Sequence, residues 1–313
     1  MKLKNIIEEY IKYKKSMGFG FKPSGSILKG FTKILGDVPI SRVTVEDVKA
    51  YLDSGNPSSR YWYNRYSVLK TFFYYCRSRG YIQSFPLPIH LPKQVEEFFP
   101  HVFTEEEYNS ILDEIPRYKK VNHQFSCLAY ETLVKLLFNT GLRISEALTV
   151  MIEDVDLQNN LITIQFTKFF KSRLVPISPQ LSDSLMLYWE KEHRHILTAN
   201  GKGPFFSKFN GMTYSRRSVA DRFHILCKLR GIKHKDRRFD VRVHDIRHTF
   251  AVSRLLAWYK DGKDLNQVLP YLSTYLGHIE LSSTQRYLSM TTELLKEANL
   301  KFEKYALGEE YYV

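Results

Sequence analysis

Apolar residues recur at helical spacing through the first eighty-odd positions and predict four helices. Ile6, Ile7, Tyr10 and Ile11 share a face of the first, which ends at Gly18, and Ile27, Leu28, Phe31, Ile34 and Leu35 share a face of the second. Thr44 and Asp47 have the spacing of a capping box and open a short third helix through Leu52, while Ser58 or Ser59 caps a long fourth reaching Arg79. That fourth helix interleaves aromatic and basic residues from Arg60 to Arg77. A small helical domain needs large side chains to bury enough area, so most of these aromatics are expected in the core. The basic residues then fall on the solvent side, and Arg60, Arg65 and Lys70 become candidates for phosphate contact.

From Ser84 to Pro100 the periodicity breaks at Pro86, Pro88, Pro92 and Pro100, the composition of an extended linker. A second unit opens at Thr104 with Glu107 in capping-box register, and a long helical stretch from Phe125 to Phe138 closes at Asn139-Thr140-Gly141. The period then changes. Ile162, Ile164 and Phe166 alternate with Leu161, Thr163 and Gln165, and Arg173 to Ile177 predicts a return strand, with Thr167 to Ser172 at the hairpin turn. Helices are expected again over 181–196, 217–229, 246–259, 265–276, 282–288 and 293–305. The fold class is therefore mainly α: a four-helix N-terminal domain (1–83), a linker (84–100) and a mostly helical C-terminal domain (101–313) with a small antiparallel β-sheet.

Composition changes what such a protein would bind. The 313 residues carry a net charge of +13, and residues 1–100 hold 16 basic against 8 acidic side chains. An excess of that sign suits a polyanion. Cys76, Cys127 and Cys227 lie far apart within apolar stretches, as reduced core residues do, so a cytoplasmic location is expected. No apolar run approaches the ~18–20 residues of a membrane span. No acidic cluster, Cys/His pattern or phosphate-binding glycine loop calls for a metal, a nucleotide or another cofactor.

The candidate chemistry lies towards the C-terminus. His244 and Arg247, three apart at the start of a helix, can converge on one ligand, and a guanidinium grips two phosphate oxygens while keeping its charge when buried. Arg143 follows Gly141 at the N-terminus of the next helix, another place for an anion, although its spacing to Glu146 by itself fits a structural pair better. Lys168 and Lys171 at the hairpin turn could donate a proton to a leaving oxygen or simply be solvated. Leu276-Gly277-His278 is followed nine residues on by Tyr287, a latent nucleophile whose phenol, with a pKa near ~10, needs nearby positive charge or a base such as His244 or His278.

These motifs together resemble the tyrosine recombinases, the phage-integrase and Xer-type group, along nearly the whole chain. The box with the first arginine is similar to Thr140–Leu148, the hairpin pattern to Thr167–Ile177, the His-x-x-Arg-His to His244–His248, and the Leu-Gly-His with its tyrosine to Leu276–Tyr287. The resemblance implies that Arg143, Lys168, His244, Arg247 and His278 surround a scissile phosphate in DNA and that Tyr287 attacks it, leaving a 3′-phosphotyrosyl link and a free 5′-hydroxyl. Phe169 and Phe170 depart from the family's glycine-bearing turn, which leaves Lys171 as an alternative proton donor. The N-terminal domain resembles the family's core-binding (SAM-like) domain, and the two domains are expected to clamp double-stranded DNA.

The resemblance also extends the expected contacts. Lys171 and Arg173 of the hairpin, and the run Lys233, Lys235, Arg237, Arg238 and Arg242 before His244, are expected along the DNA backbone. No arm-binding domain is expected before the first helix. The segment 293–305, with Leu294, Leu295, Ala298 and Phe302 at helical spacing, is a tail helix that docks in cis or on a neighbouring subunit. The implied assembly is a homotetramer on DNA, open to related recombinases, with no membrane and no nucleotide cofactor. A type IB topoisomerase sharing the chemistry, and a catalytically idle DNA-binding regulator, are the alternatives.

Overall fold

Amphipathic periodicity and capping residues account for most element boundaries in the computed structural model, which describes residues 1–56, 59–92, 98–118, 126–165, 172–192, 202–208, 210–278 and 280–288. The chain divides into two units, Met1–Phe98 and Phe99–Val313.

The first unit is built from α1 (Leu3–Ser16), α2 (Lys22–Leu35), α3 (Val45–Leu52) and α4 (Arg60–Ser78). The capping box of α3 forms as its spacing predicts: the Asp47 amide donates to Thr44 Oγ1 at 3.2 Å and the Thr44 amide to Asp47 Oδ2 at 2.9 Å. Ser59 caps α4, its side chain accepting from the Trp62 amide. Leu3, Ile6, Ile7, Tyr10, Leu28, Phe31, Phe72 and Phe73 form the centre of the core. Tyr61 and Tyr74 of α4 are exposed. Ile34, expected on the buried face of α2, is 58% exposed, because it falls in the last turn, where Leu35 packs on the core instead. The expected linker is not all free spacer. Phe85 and Leu87 lie against the first core, and Tyr63 donates to the Pro92 carbonyl.

The second unit begins with α5 (Glu105–Glu114), whose Thr104/Glu107 capping box also forms, and α6 (Cys127–Thr140), capped by Ser126. Tyr130, Leu133, Val134, Leu136 and Leu137 bury α6 on most of its circumference, with α8 (Pro179–Lys191) and α10 (Asp245–Lys260) packed against it. Gly141 ends α6 at φ +61°, and a Cβ there would fall 2.6 Å from the Phe250 ring, so both conformation and space call for glycine. α7 (Ile144–Thr149) follows directly.

The sheet has three antiparallel strands in the order β1 (Val155–Asp156), β2 (Leu161–Ile164), β3 (Arg173–Pro176), with Ile162 opposite Val175. Alternation buries Ile162, Ile164 and Val175 on one face. Two residues long, β1 carries no alternation that a reading of pattern could register. The hairpin turn with Lys168 and Lys171 lies outside the described residues.

α9 (Arg216–Leu229), α10, α11 (Leu265–Leu276) and α12 (Ser282–Gln285) complete the unit. α12 is shorter than the expected 282–288, since Tyr287 and Leu288 continue as a tight turn bonded three residues back, to the carbonyls of Thr284 and Gln285. The expected tail helix over 293–305 lies outside the described residues. Cys76 and Cys227 are buried as expected, but Cys127 is exposed, because it occupies the first position of α6 rather than its packed face.

Candidate active site

Three helix ends meet where α6, α10 and α11 converge. Gly141 caps α6, Gly277 caps α11 at φ +68°, and α10 starts beside them. Arg247, one turn into α10 and 2% exposed, donates from Nη1 to the Gly141 carbonyl at 2.8 Å and from Nη2 to the Leu276 carbonyl at 2.6 Å. These are carbonyls at helix C-termini, where partial negative charge collects, so they hold a buried guanidinium well. Burial first, then the charge of Arg143, brings Arg247 down to about 10, which leaves it protonated at neutral pH.

Arg143 is the N-cap of α7 and pairs with Glu146, as its spacing allows: Nη1 lies 2.7 Å from Oε1, and its amide donates to Oε2 at 3.0 Å. The pairing does not take Arg143 out of the site. Its Nη2 faces the Gly277 carbonyl at 3.5 Å and its side chain is 36% exposed. Glu146 also receives Arg173 Nη2 at 2.9 Å and lies 3.9 Å from Arg247 Nη1. One carboxylate thus faces three guanidiniums. Burial alone would raise its pKa, yet hydrogen bonds and charge from Arg173 and Arg143 hold it at about 2.

His278 follows the Gly277 turn, and its Nδ1 is 2.7 Å from the hydroxyl of the fully buried Thr284. Its ring stacks on Tyr287 with centroids 6.1 Å apart. Burial, then the charges of Arg247, Arg143 and Arg173, lower its imidazole to about 4. His244, the solvent-facing N-cap of α10, is lowered by desolvation and then by Arg247 and Arg242. His248 stands between them, edge-on to His244 at 5.0 Å and to Tyr287 at 5.4 Å, and is lowered to about 3, chiefly by burial. Tyr287 is 4% exposed; burial raises its pKa, while the charge and hydrogen bond of Arg247 work in the opposite direction. Tyr287 is thus a protonated phenol among neutral imidazoles and fixed cations.

Arg143, His244, Arg247, His278 and Tyr287 therefore come together, and Lys168 lies outside the described residues. The expected DNA contacts divide. Arg60, Lys70, Lys233, Lys235 and Arg237 are exposed. Arg238 is exposed but forks onto Asp236, with Nη2 2.6 Å from Oδ2, and Arg242 pairs with the buried Asp245 at 3.0 Å. Two of the expected contacts are engaged within the protein. Arg65 folds back to donate from Nη1 to the Tyr51 carbonyl and the Ser54 hydroxyl, both at 2.8 Å, with its guanidinium over the Tyr51 and Tyr61 rings. Arg173, only 10% exposed, turns inward to Glu146 because the alternation of β3 puts it opposite the exposed Leu174. Glu146 as a shared partner and Thr284 were not singled out from sequence, and His248 entered only as the last residue of the His-x-x-Arg-His motif. Glu146 left a signal in its spacing to Arg143; the step from His278 to Thr284 runs from the end of α11 into α12, where no single period applies.

The model of the phage integrase family matches residues 101–293. The chain belongs to that family. As a family member it is a tyrosine-type site-specific recombinase, and its relatives extend over the first unit too. A protein of Sinorhizobium fredii named as an integrase/recombinase is 29% identical over 96% of this chain and 97% of its own length. Tyrosine recombinase XerC of Oceanobacillus iheyensis is 28% identical over 90% of this chain and 88% of its own length. Among solved structures, the Tn1549 transposon integrase in complex with transposon right-end DNA superposes with a TM-score of 0.71 at 19% identity, covering 98% of this chain and 100% of that one. This last likeness concerns the fold, a mostly helical protein with a small antiparallel sheet. No described helix is long and apolar enough to cross a membrane.

Proposed function

We propose that this recombinase cuts and rejoins double-stranded DNA through a 3′-phosphotyrosyl intermediate on Tyr287. The observation that carries the reading is the convergence of two guanidiniums, Arg143 and Arg247, with His278 on Tyr287. A phosphodiester between the two arginines places its developing negative charge against fixed donors that need no reorganisation. The Tyr287 oxygen attacks phosphorus, the bond to the 5′-oxygen breaks, and the phenol proton passes to a neutral imidazole, His244 or His278. Lys168 protonates the leaving oxygen, with Lys171 as the alternative donor. The new ester keeps the energy of the old one, so rejoining to a second strand requires no nucleotide.

The Tn1549 integrase was solved on DNA, which supports DNA as the substrate here. Arg60 and Lys70 in the first unit, with Lys233, Lys235 and Arg237 in the second, are the proposed backbone contacts, and their exposure supports that role. The working assembly is a homotetramer on two duplexes in the cytoplasm.

The test is covalent capture. Wild-type protein incubated with nicked fragments of bacterial DNA should retain some through a denaturing wash, and the sequences recovered define a cleavable duplex. Tyr287→Phe should retain none. A wild type that captures nothing, or a Tyr287→Phe variant that captures as much, overturns the mechanism.

A further inference from the structure

Arg173 was expected on the DNA, yet each of its three guanidinium nitrogens already donates within the protein. Nη2 donates to Glu146 Oε2 at 2.9 Å, Nη1 to Glu146 Oε1 at 3.3 Å, and Nε to the Tyr275 carbonyl at 2.8 Å. The fork is two-pronged, and the guanidinium is spread across three parts of the unit: its own strand β3, the start of α7 and the end of α11. It also lies flat on Gly277, where a Cβ would fall 2.8 Å from Nη1 and 3.0 Å from Cζ. The residue after Gly277 is His278.

Charge accounting gives this placement a consequence. Among the described residues, Glu146 is the one carboxylate bonded to Arg143, and it lies near Arg247 as well. Arg143, Arg173, Arg247 and Glu146 together sum to +2. Arg173 neutralises Glu146, so the remaining excess sits on Arg143 and Arg247, where a phosphate would bind. Remove Arg173, and the sum falls to +1, with Glu146 free to be shared by the two remaining arginines. A buried carboxylate that has lost its forked partner takes the nearest cation, because an unpaired buried charge is costly.

We propose that Arg173 is a positioning residue for strand cleavage: it holds Glu146 in a neutral forked pair, so that Arg143 and Arg247 keep their charge for the scissile phosphate, and it seats the Gly277 turn that presents His278. This rests on the reading of Arg143 and Arg247 as the phosphate clamp. It differs from the DNA-contact role expected of Arg173, since the guanidinium is 10% exposed and all three of its nitrogens are engaged within the protein.

The experiment is single-turnover cleavage of the captured nicked duplex by full-length wild type, Arg173→Met, Arg173→Lys and the double variant Arg173→Met/Glu146→Gln. The expected losses are about ten- to a hundredfold for Arg173→Met, and several-fold for Arg173→Lys, which keeps the charge but lacks the fork. The double variant restores the +2 sum and should recover at least about tenfold of the loss, which a purely structural role would not do, since it removes a second native partner. Arg173→Met within twofold of wild type, Arg173→Lys at the wild-type rate, or a double variant no faster than Arg173→Met would each overturn the proposal. Calorimetric titration of the same proteins with inorganic phosphate provides a readout without chemistry: affinity should fall in Arg173→Met and return in the double variant, and an unchanged affinity also overturns it. That titration stands even if wild type forms no adduct, an outcome that counts against the phosphotyrosyl reading rather than against Arg173. If Arg173→Met does not fold, the Arg173→Lys rate and titration decide.

Discussion

Among the described residues, the four-helix unit buries aliphatic and aromatic side chains and no charged one, whereas the second unit buries Glu146, Asp154, Asp245 and Arg247 along with His101 and His234. Buried charge rarely adds net stability compared with apolar side chains of similar volume, because desolvation consumes most of the Coulombic gain. The core of the first unit is thus built for stability alone. The second accepts an electrostatic cost where three arginines surround one carboxylate, and that is where Tyr287 sits. The contrast teaches that the catalytic core should respond to charge and pH in ways that the helical core should not.

The largest effect is expected at Arg247. Arg247→Ala should slow single-turnover cleavage about a thousandfold or more, roughly 4 kcal/mol of transition-state stabilisation, measured as the rate of covalent adduct formation. A loss under tenfold would break the contrast, because this charge would then be structural. Next, Phe72→Ala in the first core should destabilise that unit by about 3–5 kcal/mol in a denaturant titration. Its effect should not depend on pH between 5 and 8, since no charged group is buried around it.

Acid provides the third probe. Glu146 has a folded-state pKa depressed from 4.5 to about 2, so its stabilisation is fully present above pH 4.5 and is lost as pH falls towards 2. At about 1.4 kcal/mol per unit this amounts to about 3 kcal/mol for the second unit, and Glu146→Gln should remove that slope from its stability curve. His278, depressed from 6.5 to about 4, acts earlier: its contribution is present above 6.5 and declines as pH falls below that value. A bound phosphate should reverse this sign at His278, so DNA binding should take up protons near pH 6, which calorimetry in buffers of different ionisation enthalpy would detect. The smallest effect belongs to a shared local device. Thr44→Ala and Thr104→Ala should each cost about 1 kcal/mol by thermal melting, equally in both units, since each removes one cap.

Local signals were the legible part of this protein. Both capping boxes, the glycine stop at Gly141, the β2–β3 alternation and the Arg143–Glu146 spacing are relations within a few residues, and the chain carries them wherever it folds. What pattern does not carry is which way a long side chain turns. Arg65 and Arg173 look like other basic residues in a positive protein, but one covers two tyrosine rings and the other crosses to a carboxylate 27 residues away. Cys127 and Ile34 missed burial for a related reason: helix ends overhang the core.

The sequence by itself determined the four helices, the two-unit division, the positive charge and the catalytic residue types, since periodicity, composition and motif spacing are properties of the chain alone. The resemblance of its motifs already implied that Arg143, Arg247, His278 and Tyr287 share one place; only the tertiary structure decided that Glu146 serves three arginines drawn from positions 143, 173 and 247. The physical reason is that electrostatic coupling depends on distance and burial. Both arise only when α6, α10 and α11 bring their ends together.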